Sequence, residues 1–159
     1  MATCIIGIDP GYDRLGIAVI ERTAPGKECV LYSNCFQTSP KDSIYKRFGL
    51  ISNEVGRVLD EFKPEALSIE TLFITKNQKT AMRVAEARGV ILAEAIRRNV
   101  AIYEYTPMQI KVAITSDGTS DKERMIKMVK LLVSLPIKKT VDDEYDAIAA
   151  AITHSACMR

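Results

Sequence analysis

Four acidic residues stand where buried elements of the predicted structure begin or end. Asp9 closes the apolar run 3–8 and is followed by a proline and a glycine. Glu70 closes the short apolar run 66–69, and Asp143 and Asp146 lie three residues apart at the start of the last predicted helix. A charge at the end of a buried strand is costly unless it is paired, hydrogen-bonded or bound to a metal. These four carboxylates are therefore the first candidates for chemistry.

Each of these acids also has a simpler interpretation. Asp9 could be an Asx-type residue of a hairpin turn, and Glu70 could be a surface residue where a strand leaves the core. The acidic residues 142–146 could compensate the dipole at the start of a helix. Considered singly, none of the four identifies a site.

Considered together, two strand ends and one helix start can converge at one edge of a sheet. Crowded carboxylates repel and raise one another's pKa, and Mg²⁺ relieves that conflict because it prefers hard oxygen ligands. Two such ions about 3.5–4 Å apart activate a water and stabilise both oxygens of an in-line phosphodiester displacement. The sequence offers no Ser–His–Asp or Cys–His arrangement, and its one histidine, His154, lies among small residues and is expected to be packed.

The elements that must position these residues can be read from periodicity and turn signals. Three apolar runs joined by short Gly/Pro turns predict an antiparallel meander, and two later strands alternate with helices. The predicted strands are Thr3–Asp9, Leu15–Glu21, Glu28–Gln37, Ala66–Thr71 and Ala101–Thr106. We therefore predict an α/β fold in which a mixed five-stranded sheet carries helices on both faces.

The predicted helices follow a period of three to four residues. They cover 44–62, about 77–98, a stretch after Pro107, a stretch from Ser120 through Val133, and about 142–157. Ser120 and Glu123 have the spacing of a capping box. Gly89, inside the second helix, costs about 1 kcal/mol relative to alanine, which predicts close approach of another element.

Composition excludes several classes of protein. The chain has 159 residues, a formal net charge of +2, 47% hydrophobic residues and four cysteines without a CxxC pair. Disorder and a disulfide scaffold are excluded, and Cys4 and Cys29 are expected to be buried free thiols. No apolar run reaches the ~18 residues of a membrane span. We expect one domain spanning 1–159 in a soluble, cytoplasmic protein with no membrane partner.

Positive charge is concentrated in the second half of the chain, over 76–98 and 111–139. Such a distribution favours a polyanionic partner, although solvated helix faces often have the same composition. Phe73 lies in a predicted loop between Glu70 and the basic helix, where it could stack on nucleic-acid bases or wedge between them. The alternative is a loop aromatic that packs into the core.

The motifs occur in a defined order along the chain: Ile8-Asp9-Pro10-Gly11 with Gly16, Ser68-Ile69-Glu70 with Phe73 and Lys76-Asn77, Ala87-Arg88-Gly89, and Asp143-x-x-Asp146-Ala147-Ile148-Ala149 continuing to His154. Together, over residues 5–154, they resemble the RuvC family of Holliday-junction resolvases. The resemblance implies an RNase H-like fold, a homodimer, and Mg²⁺-dependent symmetrical nicking of four-way junction DNA.

The resemblance also implies roles for individual residues. Asp9, Glu70, Asp143 and Asp146 match the acidic tetrad and would hold two Mg²⁺ ions, or Mn²⁺ in their place. Lys111 and Lys122 match basic positions that contribute to cleavage, where a fixed cation stabilises developing charge. Phe73 and the basic helix, with Lys76, Asn77, Lys79 and Arg83, would contact the junction. The helix with Gly89 resembles the one through which family members dimerise, and the RuvAB branch-migration complex is a possible partner.

The chain departs from the family pattern at the 116–120 loop, where Asp117 stands in place of the usual small residues. Asp142 beside Asp143 makes the ligand assignment ambiguous, and we assign Asp143 because of its spacing to Asp146. Three alternatives stay open: an RNase H-like nuclease of the YqgF type, a junction-binding protein without catalysis, and an actin-like ATPase. The last would need a second lobe to close on its nucleotide.

Overall fold

The first half of the sheet is an antiparallel meander. The computed structural model describes residues 2–72, 78–135 and 140–158. Strands β1 (Thr3–Asp9), β2 (Arg14–Ala24) and β3 (Lys27–Gln37) pair in succession. A short turn joins β2 to β3, with Gly26 at φ +72°, a backbone conformation that glycine adopts without a Cβ penalty.

Two helix crossovers then extend the sheet on its other side. Helix α1 (Ile44–Phe62) begins after Ser43, whose side chain accepts from the Lys46 amide, and ends at Lys63 in the left-handed conformation. Strand β4 (Ala66–Glu70) lies parallel to β1. Helix α2 (Gln78–Arg97) leads to β5 (Ala101–Tyr105), which lies parallel to β4.

The last third of the chain covers the opposite face. It contains α3 (Pro107–Thr115), α4 (Lys122–Leu132), β6 (Val133–Ser134) and α5 (Asp142–Cys157). The sheet therefore has six strands in the order β5-β4-β1-β2-β3-β6. The expected count of five was wrong, because β6 is only two residues long and its pairing with β3 leaves no periodic signal.

Two apolar layers hold the helices against the sheet. One contains the inner residues of α5, α3 and α4 with Ile5, Ala18 and Ile20 of the sheet. The other contains α1 and α2 with Ile6, Ile8 and Ile17. The alternation of side chains along each strand sends consecutive residues such as Ile5 and Ile6 to opposite layers, so the prediction of helices on both faces is confirmed.

Three local expectations need correction. Helix α4 is capped by the Asp121 side chain, which accepts from the Arg124 amide at 2.8 Å, and not by Ser120. A Cβ built on Gly89 meets no atom of the described residues within 4 Å, so no element among them approaches it. Cys4 and Cys29 are free, as expected, but only half-buried.

None of the helices in the described ranges has the length and apolarity needed to cross a membrane.

Candidate active site

The carboxyl ends of β1 and β4 place two of the predicted acids side by side. These strands are parallel neighbours with Ile8 opposite Ile69, so Asp9 and Glu70 leave the sheet at the same edge. Ligands of open α/β sheets commonly bind at this edge. The proximity of the two carboxylates follows directly from strand register.

Helix α5 brings the other two acids to the same edge because it packs unusually close to the sheet. A Cβ on Gly7 would overlap the Ala147 carbonyl oxygen and lie 2.7 Å from the Ala151 nitrogen. The Ser68 hydroxyl donates to the Ala150 carbonyl at 2.6 Å. These contacts fix α5 across the central strands with its first two turns, which carry Asp143 and Asp146, above the ends of β1 and β4.

Two residues outside the predicted site fix the segments that carry it. Glu144 is buried, accepts from the Val141 amide at 3.0 Å and accepts from the Ser33 hydroxyl at 2.8 Å, which ties the start of α5 to β3. The buried Arg47 donates to the Tyr12 carbonyl at 3.0 Å and pairs with Asp13, which fixes the turn after Asp9. The sequence contained no signal for either contact, since the partners are far apart along the chain.

The electrostatics show that the acids share one environment. Burial, as the largest cause, and the charges of Asp146, Glu70 and Asp143 together raise the pKa of Asp9 to about 7, against an opposing effect of Lys122. Burial and the charge of Asp146 also raise the pKa of Glu70, while Lys111 lowers it. Carboxylates that raise one another's pKa across three elements lie close together, so the structure brings all four predicted acids to one place.

Two cations pair with the acids, and a third, Lys111, lowers the pKa of Glu70. Lys122 Nζ lies 3.1 Å from Asp146 Oδ2 and 3.5 Å from Asp142 Oδ2. Arg14 Nε lies 3.0 Å from Asp143 Oδ2. The ion pair with Lys122 opposes the effect of burial, yet the pKa of Asp146 is still raised. Arg14 was not among the predicted site residues.

The four carboxylates are suitable ligands for a divalent metal, although their side chains are not arranged as a complete metal site. Within the described ranges, no group of three or more His, Cys, Asp and Glu side chains is arranged to hold an ion, which agrees with Arg14 and Lys122 each engaging a carboxylate. Four carboxylates, three of them with raised pKa values, carry excess negative charge that a hard cation would neutralise. Asp143 raises the pKa of Asp9, and both Asp143 and Asp142 raise the pKa of Asp146, so the choice of Asp143 over Asp142 as a ligand stays a prediction.

Two cavities open onto the acids. One, of about 270 Å³, is lined by Glu70, Lys111, Lys122 and Asp146. The other, of about 380 Å³, lies between Asp9, Glu70 and the first turns of α2. Lys79 and Arg83 are in those turns, Lys79 exposed and Arg83 paired with Glu86. The remaining expected DNA contacts, Phe73, Lys76 and Asn77, lie outside the described residues.

His154 is packed, as expected. It is buried, its Nδ1 lies 2.8 Å from the Tyr105 hydroxyl, and its ring stacks on Tyr103 with centroids 4.0 Å apart. Its position near the other end of α5 also separates it from the acids at the helix start. Histidine chemistry therefore has no support in this site.

Comparisons with known proteins agree with this geometry. Residues 5–154 match the family described as crossover junction endodeoxyribonuclease RuvC. A protein of that name from Thermosipho melanesiensis is 46% identical over 147 residues, which cover 92% of this chain and 93% of the relative. The one from Petrotoga mobilis is 40% identical over 150 residues, covering 94% and 91%.

Solved structures give the same result. Thermus thermophilus RuvC in complex with a Holliday junction substrate superposes with a TM-score of 0.90 at 33% identity, covering 96% of this chain and 93% of that one. The yeast mitochondrial resolvase Ydc2 shares the fold, with a TM-score of 0.69 at 14% identity over 96% and 77% of the two chains. The fold is RNase H-like, and the chain belongs to the crossover junction endodeoxyribonuclease RuvC family.

Proposed function

We propose that this protein is a homodimeric, Mg²⁺-dependent endonuclease that binds four-way DNA junctions and nicks two strands of like polarity. The observation that carries the proposal is the convergence of the acids: the β1–β4 register brings Asp9 and Glu70 to one sheet edge, and Asp143 and Asp146 act on Asp9 from the start of α5. The solved relative bound to a Holliday junction substrate supports the choice of DNA. The junction has two equivalent strands, so a twofold dimer can cut one with each subunit.

The residues of the site have separate tasks in this proposal. Asp9, Glu70, Asp143 and Asp146 would hold the cations, for which two Mg²⁺ ions, with Mn²⁺ as a substitute, are the expected set. When bound, such ions activate a water and stabilise the charged oxygens of the phosphodiester. Lys111 and Lys122 line the same cavity and hold positive charge where the phosphate must lie. We expect 5′-phosphate and 3′-hydroxyl ends.

A second copy of the chain is expected on helix α2. Met82, Gly89 and Ile96 follow one another at seven-residue steps and therefore share a face. Met82 is 63% exposed and Ile96 64% exposed, and the space beside Gly89 is open to a neighbour. An apolar face with a glycine at its centre suits close packing of two helices. Three further expectations stay predictions: binding to the RuvAB complex, a cytoplasmic location, and the organisation of residues 1–159 as one domain.

The experiment compares Asp9→Asn with Asp60→Asn on labelled four-way junction, linear duplex and RNA–DNA hybrid. Asp60 is an exposed acid that pairs with Arg98 on another part of the surface. We expect wild type and the control to nick the junction in Mg²⁺. The nicking rate of Asp9→Asn should be lower by a factor of about 100 at least, since a catalytic metal supplies several kcal/mol. Junction binding by Asp9→Asn should persist.

The alternatives make different predictions in the same assay. A nuclease of the YqgF type would be monomeric and would prefer RNA or linear duplex. A junction-binding protein without catalysis would bind the four-way DNA and leave it intact in Mg²⁺. Full activity of Asp9→Asn would show that the acids have been assigned the wrong role.

A further inference from the structure

Arg14 makes a long-range contact with one of the candidate metal ligands. It is the first residue of β2, and its guanidinium contacts Asp143 Oδ2 through both Nε, at 3.0 Å, and Nη2. The Arg14 side chain is 48% exposed, while Asp143 is 21% exposed. A half-exposed cation therefore pairs with a carboxylate of the site.

Two of the four acids are paired with a cation, Asp146 with Lys122 and Asp143 with Arg14. Asp143 Oδ2 accepts from the Arg14 guanidinium, so the two side chains form an ion pair. The negative charge of Asp143 is thus already neutralised by a side chain. A divalent cation that approached Asp143 would meet the positive charge of Arg14 and would have to displace it.

Arg14 has an obvious second partner once DNA is present. Phosphate oxygens are strong acceptors for a guanidinium and can accept the two hydrogen bonds that Arg14 donates to Asp143 Oδ2. Because Arg14 is half-exposed at the rim of the acidic site, a backbone phosphate that reaches the acids passes within reach of its guanidinium. Exchange of Asp143 for a phosphate would keep both Arg14 hydrogen bonds and leave Asp143 free.

We propose that Arg14 couples DNA binding to completion of the metal site: it pairs with Asp143 in the free protein and transfers to a DNA phosphate when the junction binds, so that Asp143 becomes available to a divalent cation. The inference rests on the proposed function. Arg14 is a gating residue that acts through Asp143, and the coupling is reciprocal, since DNA and metal must raise each other's affinity by the same factor.

The first test measures metal binding without any cleavage. Mn²⁺ is titrated into free wild type, Arg14→Gln and the control Arg57→Gln, and free Mn²⁺ is followed by electron paramagnetic resonance. Arg57 matches Arg14 in exposure, at 46%, and also pairs with acids, Glu54 and Glu61. We expect Arg14→Gln to bind Mn²⁺ about three- to tenfold more tightly, the range for removing a like charge at a partly exposed ion pair, and Arg57→Gln to match wild type.

The second test measures the coupling. Junction affinity is determined by fluorescence anisotropy with and without Ca²⁺, under conditions where a gel shows the junction intact. We expect Ca²⁺ to raise the junction affinity of wild type and Arg57→Gln by a larger factor than that of Arg14→Gln. The comparison uses the ratio of junction affinities with and without Ca²⁺ for each protein. The direct loss of the Arg14–phosphate contact affects both affinities of the variant and therefore cancels.

The outcomes separate the gate from the proposed function. Weaker or unchanged Mn²⁺ binding by a folded Arg14→Gln variant overturns the gate, and so does tighter binding with an unchanged Ca²⁺ factor. In either case wild type can still bind and nick the junction. Wild type that binds no metal, or binds linear duplex as well as the junction, contradicts the proposed function instead.

Discussion

Gly16 separates two of the candidate metal ligands, and replacing it with alanine should damage the site directly. Gly16 is paired with Asp9 across the β1–β2 ladder. A Cβ built on it would overlap the Asp143 carbonyl oxygen, lie 2.9 Å from the Asp143 carbonyl carbon and lie 3.0 Å from the Asp9 Cβ. Real Cβ contacts below 3.0 Å essentially never occur, and the obstructing atoms belong to backbone that cannot rotate away.

The start of α5 must therefore move away from β2 by about 1 Å to restore normal van der Waals separation. Overpacking of this kind costs about 1–3 kcal/mol of the free energy of unfolding. Misplacement of catalytic groups by about 1 Å can lower a rate by about 100-fold. We expect Gly16→Ala to show both effects, with junction binding less affected than nicking.

Gly49→Ala is the matched control. Gly49 lies within α1, and a Cβ there meets nothing within 4 Å, so alanine should stabilise the helix by up to about 1 kcal/mol and leave the rate unchanged. Urea denaturation gives the stability, and single-turnover cleavage of a labelled junction in Mg²⁺ gives the rate. Wild-type stability and a wild-type rate for Gly16→Ala would refute the close packing of α5 on β2.

Three further predictions concern the stability of the site, the role of Lys122 in cleavage and the dimer interface. Burial and neighbouring acids raise the pKa of Asp9 from 3.8 to about 7, so the free energy of unfolding of wild type falls as the pH rises through that interval. Urea denaturation in EDTA should therefore show Asp9→Asn to be about 1–3 kcal/mol more stable than wild type at pH 8. Near pH 4 the two proteins should be equally stable. Lys122→Ala should nick the junction about 100-fold more slowly in single-turnover assays, because it removes a fixed cation beside the phosphate, and wild-type rates would exclude that role. Met82→Glu combined with Ile96→Glu should be monomeric in light scattering, whereas the exposed Leu131→Glu control should stay dimeric; a dimeric double variant would place the interface elsewhere.

The parts of the fold that could be predicted are those with a strong local signal. Apolar runs bounded by Gly and Pro predicted β1 and the α1 boundaries correctly, and the helix–strand alternation predicted that Asp9 and Glu70 would leave the sheet together. Strand β6 was missed because two residues, Val133–Ser134, carry no period. The cap of α4 was assigned one residue early because Ser120 and Asp121 are both good capping residues.

The site could be predicted only in part, for a related reason. The spacing of Asp143 and Asp146 showed that they share a helix face, but only tertiary packing shows what they face. Arg14 and Asp143 are 129 positions apart, and Glu144 reaches Ser33 across 111 positions. Such pairs leave no trace in composition or periodicity. The sequence-based interpretation of Glu144 as dipole compensation therefore missed its buried contacts.

The central claim is that Asp9, Glu70, Asp143 and Asp146 together bind divalent metal. Anomalous diffraction at the manganese edge, from crystals of the junction complex grown with Mn²⁺, tests it most directly. We expect anomalous peaks in direct contact with carboxylate oxygens of Asp9, Glu70 and Asp146, with Asp143 completing the set. Manganese bound elsewhere, with those carboxylates facing only Lys122 and Arg14, would contradict it.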